Sequence, residues 1–290
     1  MQEPKVIYIE TTNLCNAKCI MCPHEKLTRK LGFMENKIFT KVVQDCKSQK
    51  IENKQIFLHK EGEPLLDNEI FEKIEYLKNE IGVKNEIGLN TNAMLLTPEK
   101  SKQLIQSGLD TVYFSLDGVE KEAYENIRKN LDYDVVVSNI KKFFELKKEL
   151  KSPIRVIMQM LTQRDDSEEE KLFRKIWESY PCEFYIKRMH SYLDGGHSSL
   201  LDKLENIQRK SCEDPFKIAV VYTNGEVGLC CWDYDNEYSI GNVLDHNLFK
   251  IFNNEKSKRM REAHLTLNCK SITPCNRCGR VFGKDKISEY

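Results

Sequence analysis

The chain has 290 residues, 40% hydrophobic and 31% charged, which suits a globular protein with one large domain, a small second one and a sizeable core. Lys+Arg and Asp+Glu both number 45, so the zero net charge does not favour a nucleic-acid partner. No apolar run approaches the roughly 20 residues needed to cross a bilayer.

The N-terminus, MQEPKVIYIE, lacks the basic-then-apolar pattern of a signal peptide, so the sequence predicts a cytoplasmic protein. Eleven cysteines in a reducing compartment point to metal before they point to disulfides. Lys-rich runs such as KKFFELKKELK alternate with apolar residues and read as solvated helix faces.

Taken in order, residues 6–10 (VIYIE) form a short apolar strand, a cysteine loop follows, and a helix is predicted from 37 to 50. Residues 55–59 are the second strand, 69–80 an amphipathic helix and 86–90 the third strand. The next helix opens with Thr97 as cap and Pro98 at its first position, and closes at Gly108. Strands at 111–116, 153–160 and 183–187 alternate with helices near 135–150 and 167–179. Six strand–helix repeats without a Gly-x-Gly-x-x-Gly turn imply a parallel sheet with helices outside, and periodicity leaves open sheet and barrel equally possible. After Gly195-Gly196 the pattern changes: residues 212–245 read as a hairpin around the turn Asn224-Gly225. A boundary falls near 195–210, giving domains 1–195 and 196–290.

The first cysteines, Cys15, Cys19 and Cys22, have x3 and x2 spacing on the loop after the first strand. Three thiolates there can cap three irons of a cubane and leave the fourth iron open to chelate a substrate. A structural zinc site is the other reading, with His24 as fourth ligand.

At these residues the chain resembles the radical S-adenosylmethionine (SAM) superfamily, over roughly residues 5–195. The resemblance implies an α/β fold: a partial (β/α)6 barrel whose cluster cleaves SAM to a 5′-deoxyadenosyl radical, with flavodoxin or ferredoxin as electron donor. It also implies SAM contacts. Gly62 and Glu63 stand where the family places a Gly-Gly-Glu segment that receives the SAM ammonium, with Glu61 beside them. Asn92 follows Thr91, in a Thr-Asn-Gly position occupied here by Ala93. Ser115, Arg128 and Gln159 stand at further SAM-contacting positions.

A second set of cysteines lies C-terminal. Cys212-x17-Cys230 brackets the hairpin and Cys275-x2-Cys278 follows, a pattern suited to zinc or to an iron–sulfur cluster. This resembles the shortened SPASM or twitch auxiliary domain, a small cysteine-rich β-hairpin module with an extra 4Fe–4S cluster, so the resemblance implies two clusters. Cys212, Cys230, Cys275 and Cys278 are assigned as ligands, with Cys231 and Cys269 as spares. Cys46 and Cys182 read as packed small hydrophobes, and Trp232 and Asp233 as packing beside the cluster.

Within the family, the Gly62-Glu63-Pro64-Leu65-Leu66 run and the Cys-x17-Cys hairpin resemble the 2-deoxy-scyllo-inosamine dehydrogenases. That implies oxidation of a secondary alcohol on a small sugar or cyclitol. The alternatives are redox-neutral epimerisation with Cys231 or Cys269 returning a hydrogen atom, radical modification of a ribosomal peptide, and a zinc-stabilised binding module. Entry into the first strand by residue 6 weighs against a peptide-recognition domain. Arg188, His190 and Tyr192, after the sixth strand, are the expected substrate contacts, with His190 as a base of suitable pKa.

Overall fold

The computed structural model describes residues 1–162, 168–188 and 210–278. Six parallel strands appear where the apolar runs predict them. They are β1 Val6–Ile9, β3 Gln55–Phe57, β4 Glu86–Thr91, β5 Thr111–Ser115, β7 Arg155–Thr162 and β8 Glu183–Arg188. The two strands between these numbers are a short pair the sequence did not signal, β2 Lys18–Cys19 and β6 Arg128–Lys129. They pair antiparallel, with Cys19 opposite Arg128.

Helices α1 Asn36–Gln49, α2 Ile70–Ile81, α3 Pro98–Gln106, α4 Lys121–Ile127, α5 Tyr133–Glu149 and α6 Glu168–Trp177 alternate with the strands. Each of the longer ones buries one stripe. In α1 the inward residues are Ile38, Phe39, Val42, Val43 and Cys46, three and four apart, while the lysines stay out. Cys46 is therefore core, and Cys182 donates its thiol to the Trp177 carbonyl at 3.6 Å. Thr97 caps α3 by accepting from Lys100 N–H, and Asp132 caps α5 through Val135 N–H. Burying such stripes against the apolar outer face of the sheet, where Ile87, Leu89, Val112, Phe114, Val156 and Met158 are buried, supplies the main stabilisation of this architecture.

The hairpin β9 Ile218–Val221 and β10 Glu226–Gly228 forms around Gly225, whose φ of +83° needs a glycine. It does not stand apart. β9 adds to β1 in parallel, Val6 beside Ile218 through Ile9 beside Val221, and β11 Gly241–Asn242 closes the row. The sheet order is β11-β10-β9-β1-β3-β4-β5-β7-β8, so one nine-stranded sheet crosses the predicted domain boundary.

Candidate active site in the barrel cavity

The loop after β1 is drawn shut at its neck. Thr12 Oγ1 donates to Gly32 O at 3.0 Å, and the Asn13 amide donates to Lys30 O and accepts from Gly32 N–H at 2.7 Å. Cys15, Cys19 and Cys22 lie on the closed loop and line one cavity of about 800 Å³. Burial pushes the Cys15 thiol up to about 11 and Cys22 to about 12. Cys19 is also raised by burial, with Arg128 opposing. Such thiols keep their protons at neutral pH until a metal centre binds the sulfur and the proton leaves to solvent. His24, the possible zinc ligand, has its Nε2 2.7 Å from the Asn13 carbonyl. Among the described residues no three His, Cys, Asp or Glu side chains converge on one ion's position. Three soft sulfurs on one wall fit a cubane that takes each on a separate iron.

Gly62 packs against the same loop. A Cβ there would lie 2.3 Å from Thr12 O and 2.7 Å from Leu14 O, and Glu63 N–H donates to Leu14 O at 2.8 Å. The Glu63 carboxylate accepts from Thr91 Oγ1 at 2.7 Å, Asn92 N–H at 2.8 Å and Leu65 N–H at 3.1 Å. Burial raises its pKa, and those donors oppose the rise. Glu63 thus ties the loop after β3 to the end of β4. Glu61 is ion-paired with Lys60. Ala93 adopts φ +59°, the left-handed conformation that the usual glycine would take without a Cβ penalty.

Asn90, Ser115 and Gln159 form a polar row across β4, β5 and β7. Ser115 Oγ donates to Asn90 Oδ1 at 2.7 Å, and Gln159 Nε2 donates to Ser115 Oγ at 3.3 Å. Arg128 is held from behind by Asp117, at 2.6 and 2.8 Å, and its Nη1 lies 3.9 Å from Cys19 Sγ. Burial disfavours the guanidinium charge, but Asp117 and Cys19 outweigh it and hold the pKa above its usual value. Asp117 also accepts from Leu161 N–H at 2.7 Å. Asp117 belongs to no motif legible in the sequence; its place two residues after Ser115 is its one signal.

All of Glu61, Gly62, Glu63, Asn92, Ser115, Arg128 and Gln159 line the cavity with the three cysteines. So do residues the sequence reading did not select: His59, Lys60, Asn90, Tyr185, Lys187 and Asp214. Strand alternation could have found Lys187, which stands two places from Tyr185 on the inward face of β8. Arg188 ends β8 with its side chain outside the described residues, and His190 and Tyr192 lie wholly outside them.

Residues 9–176 match the sequence profile of the Radical SAM superfamily. The chain belongs to the radical SAM superfamily. A tungsten-containing aldehyde ferredoxin oxidoreductase cofactor-modifying protein of Pyrococcus furiosus is 24% identical over 318 residues, 94% of this chain and 87% of that protein. The crystal structure of BtrN in complex with AdoMet and 2-DOIA matches at TM-score 0.58 and 18% identity, covering 91% of this chain and 88% of that one. Native anSMEcpe with bound AdoMet and Kp18Cys peptide matches at TM-score 0.67 and 20% identity, covering 95% and 88%. The two structures establish the shared fold.

Residues 212–279 of this radical SAM enzyme match an iron–sulfur cluster-binding domain, SPASM. There His264 accepts Cys212 N–H at Nδ1, 3.3 Å, which leaves its Nε2–H to face Cys275 Sγ at 3.4 Å. Trp232 N–H donates to Cys230 Sγ at 3.3 Å, and Trp232 packs with Cys278. Donors placed on sulfur in this way can tune a cluster that such sulfurs hold. The spare cysteines part company. Cys269 is buried in the main core with its thiol on Ala263 O at 3.3 Å. Cys231 lines the same cavity as Cys15, Cys19 and Cys22, its Sγ 3.5 Å from Asp214 Oδ2. Trp232 lines that cavity too, beyond the packing role expected of it.

Proposed function

We propose that this radical SAM enzyme oxidises a secondary alcohol of a small polyhydroxylated substrate to the ketone. One observation carries the reading: a single cavity is lined both by Cys15, Cys19 and Cys22 and by Cys231, Trp232 and Asp214 of the auxiliary segment. A substrate in it would touch both the first cysteine loop and the auxiliary segment next to Cys230, a proposed ligand of the second cluster. When bound, SAM and the two clusters supply a hydrogen-abstracting 5′-deoxyadenosyl radical and an acceptor for the electron left on the substrate. Cys15, Cys19 and Cys22 would hold the first cluster, and Cys212, Cys230, Cys275 and Cys278 the second. Flavodoxin or ferredoxin would supply the reducing electron.

The chain's own part is to hold and orient. Gly62, Glu63 and Asn92 form a rigid rim for the SAM amino acid end, and Arg128 beside Cys19 presents a cation to its carboxylate. Glu61, Ser115 and Gln159 are the remaining proposed SAM contacts. His190 is retained as the proposed base for the hydroxyl proton, with Arg188 and Tyr192 as substrate contacts. Cyclitol substrates are favoured by the likeness to BtrN, whose structure contains 2-DOIA.

The test is a substrate deuterated at the reacting carbon. One deuterium in 5′-deoxyadenosine and one SAM consumed per ketone is the expected result. A second reading, redox-neutral epimerisation, has its own support in the Cys231 thiol on the cavity wall. Solvent hydrogen at the reacting carbon, no ketone, and loss of activity in Cys231→Ala would establish it instead.

A further inference from the structure

The charged groups on the cavity wall are mostly answered from within the protein. Asp117 holds Arg128, Lys60 and Glu61 hold each other, and Glu63 accepts a hydroxyl and two amides. Lys187 differs. It lines the cavity from β8, and among the described residues its ammonium has no acidic partner; its Nζ stands 5.2 Å from the centre of the Tyr185 ring.

His59 lines the same cavity from two residues past β3. Asn90 N–H donates to its Nδ1 at 3.2 Å, which fixes the tautomer and leaves the ring proton on Nε2. Burial, and then the charges of Lys60 and Lys187, push the imidazole down to about 3, so it stays neutral. Its Nε2–H has no acceptor among the described residues and is not sealed off from the cavity. Tyr8 and Phe57 hold the ring edge-on at 5.7 and 5.5 Å, and Tyr113 continues the aromatic wall. The arrangement offers hydrogen-bond donors and positive charge against rings, with no carboxylate of its own at Lys187.

We propose that Lys187 and His59 form an anion subsite, and that the substrate accordingly carries a carboxylate or a phosphate. This rests on the cavity being the substrate site, as proposed above. An ammonium set against the Tyr185 ring is costly to desolvate when a neutral polyol covers it, whereas an anion compensates it. A charge-assisted bond from Lys187 and a neutral one from His59 then fix one end of the substrate. The reacting carbon is presented toward the cysteine loop.

The test uses the reconstituted enzyme with SAM bound and three ligands: myo-inositol, myo-inositol 1-phosphate and glucuronate. Calorimetric titration should show at least one anion binding about tenfold or more tighter than myo-inositol, as expected for one charged hydrogen bond. Which anion wins identifies phosphate or carboxylate. Lys187→Gln should bring the preference to within about twofold, Lys187→Arg should keep it, and His59→Phe should reduce it. In the unmutated enzyme, rising salt should weaken the anion and leave myo-inositol unaffected, a readout that needs no variant. Equal binding of all three, no binding of either anion, or a preference that survives Lys187→Gln overturns the proposal. So does a Lys187→Gln variant that loses SAM instead, which would assign the lysine to the SAM carboxylate. SAM cleavage is scored separately, so the radical SAM reading stands or falls on its own.

Discussion

Cys19 and Arg128 stand 109 positions apart in the chain and face each other in the β2–β6 ladder, with Arg128 Nη1 3.9 Å from the Cys19 sulfur. The ladder delivers a guanidinium to the edge of the cluster loop, and Asp117 sets its orientation from behind at 2.6 Å. Asp117→Asn keeps the shape and removes the charge. The affinity for SAM should fall about five- to tenfold, from one charge-assisted contact misplaced. The electron paramagnetic resonance signal of the reduced first cluster should respond less to SAM. Unchanged affinity and signal would deny Arg128 its place beside SAM.

Arg29 makes two parallel hydrogen bonds to Glu10, 2.7 and 2.9 Å, and lies 4.5 Å over the Tyr222 ring while donating to Tyr234 O. Glu10 in turn accepts from Thr223 N–H at 3.1 Å. The cluster loop is thereby fastened to the C-terminal hairpin. Arg29→Met leaves a buried carboxylate uncompensated and should cost about 3–5 kcal/mol in denaturant unfolding. Adding Glu10→Gln should recover part of the loss; full additivity of the two would show that the pair is not coupled.

His59 gives a pH signature. Its native pKa is pushed down to about 3 by burial, against about 6.5 in the unfolded chain. Between those values the unfolded state binds the extra proton. The stabilisation is complete above about pH 6.5 and is lost as pH falls toward the native value, with a limiting slope of about 1.4 kcal/mol per unit. Between pH 7 and pH 5, His59→Gln should lose about 2 kcal/mol less than the unmutated enzyme in urea unfolding. Parallel pH profiles would refute the neutral imidazole.

Replacing Cys15, Cys19 and Cys22 together with Ala should abolish 5′-deoxyadenosine formation. The reconstituted protein should fall from about eight irons per chain to about four, since the auxiliary set is untouched. A triple variant that still cleaves SAM would refute the role of the loop. About four irons plus one zinc in the unmutated protein would make the C-terminal site a zinc ribbon.

The legible part of the site is the part encoded in short spacings. Cys15-x3-Cys19-x2-Cys22 and Gly62-Glu63 could be placed from sequence because each motif works within one loop. Glu63 shows the limit: its position was legible, but its carboxylate turned out to serve Thr91, Asn92 and Leu65, an internal tie that no spacing announces. The spares Cys231 and Cys269 looked alike in sequence, yet one lines the cavity and the other packs in the core.

The sequence by itself determined the alternation of strands and helices, the cap at Thr97, the hairpin turn at Gly225 and the cysteine loop. These follow from side-chain periodicity and backbone sterics over a few residues, and neighbours in the chain suffice to express them. Tertiary structure alone decided that β9 would join β1, because backbone hydrogen bonds at a sheet edge carry no side-chain signature. It alone decided that His59, Lys187 and Asp214 would share one cavity with the cysteines. Strands β3 and β8 are far apart in the sheet order, and only its curvature turns their inward residues toward the same space.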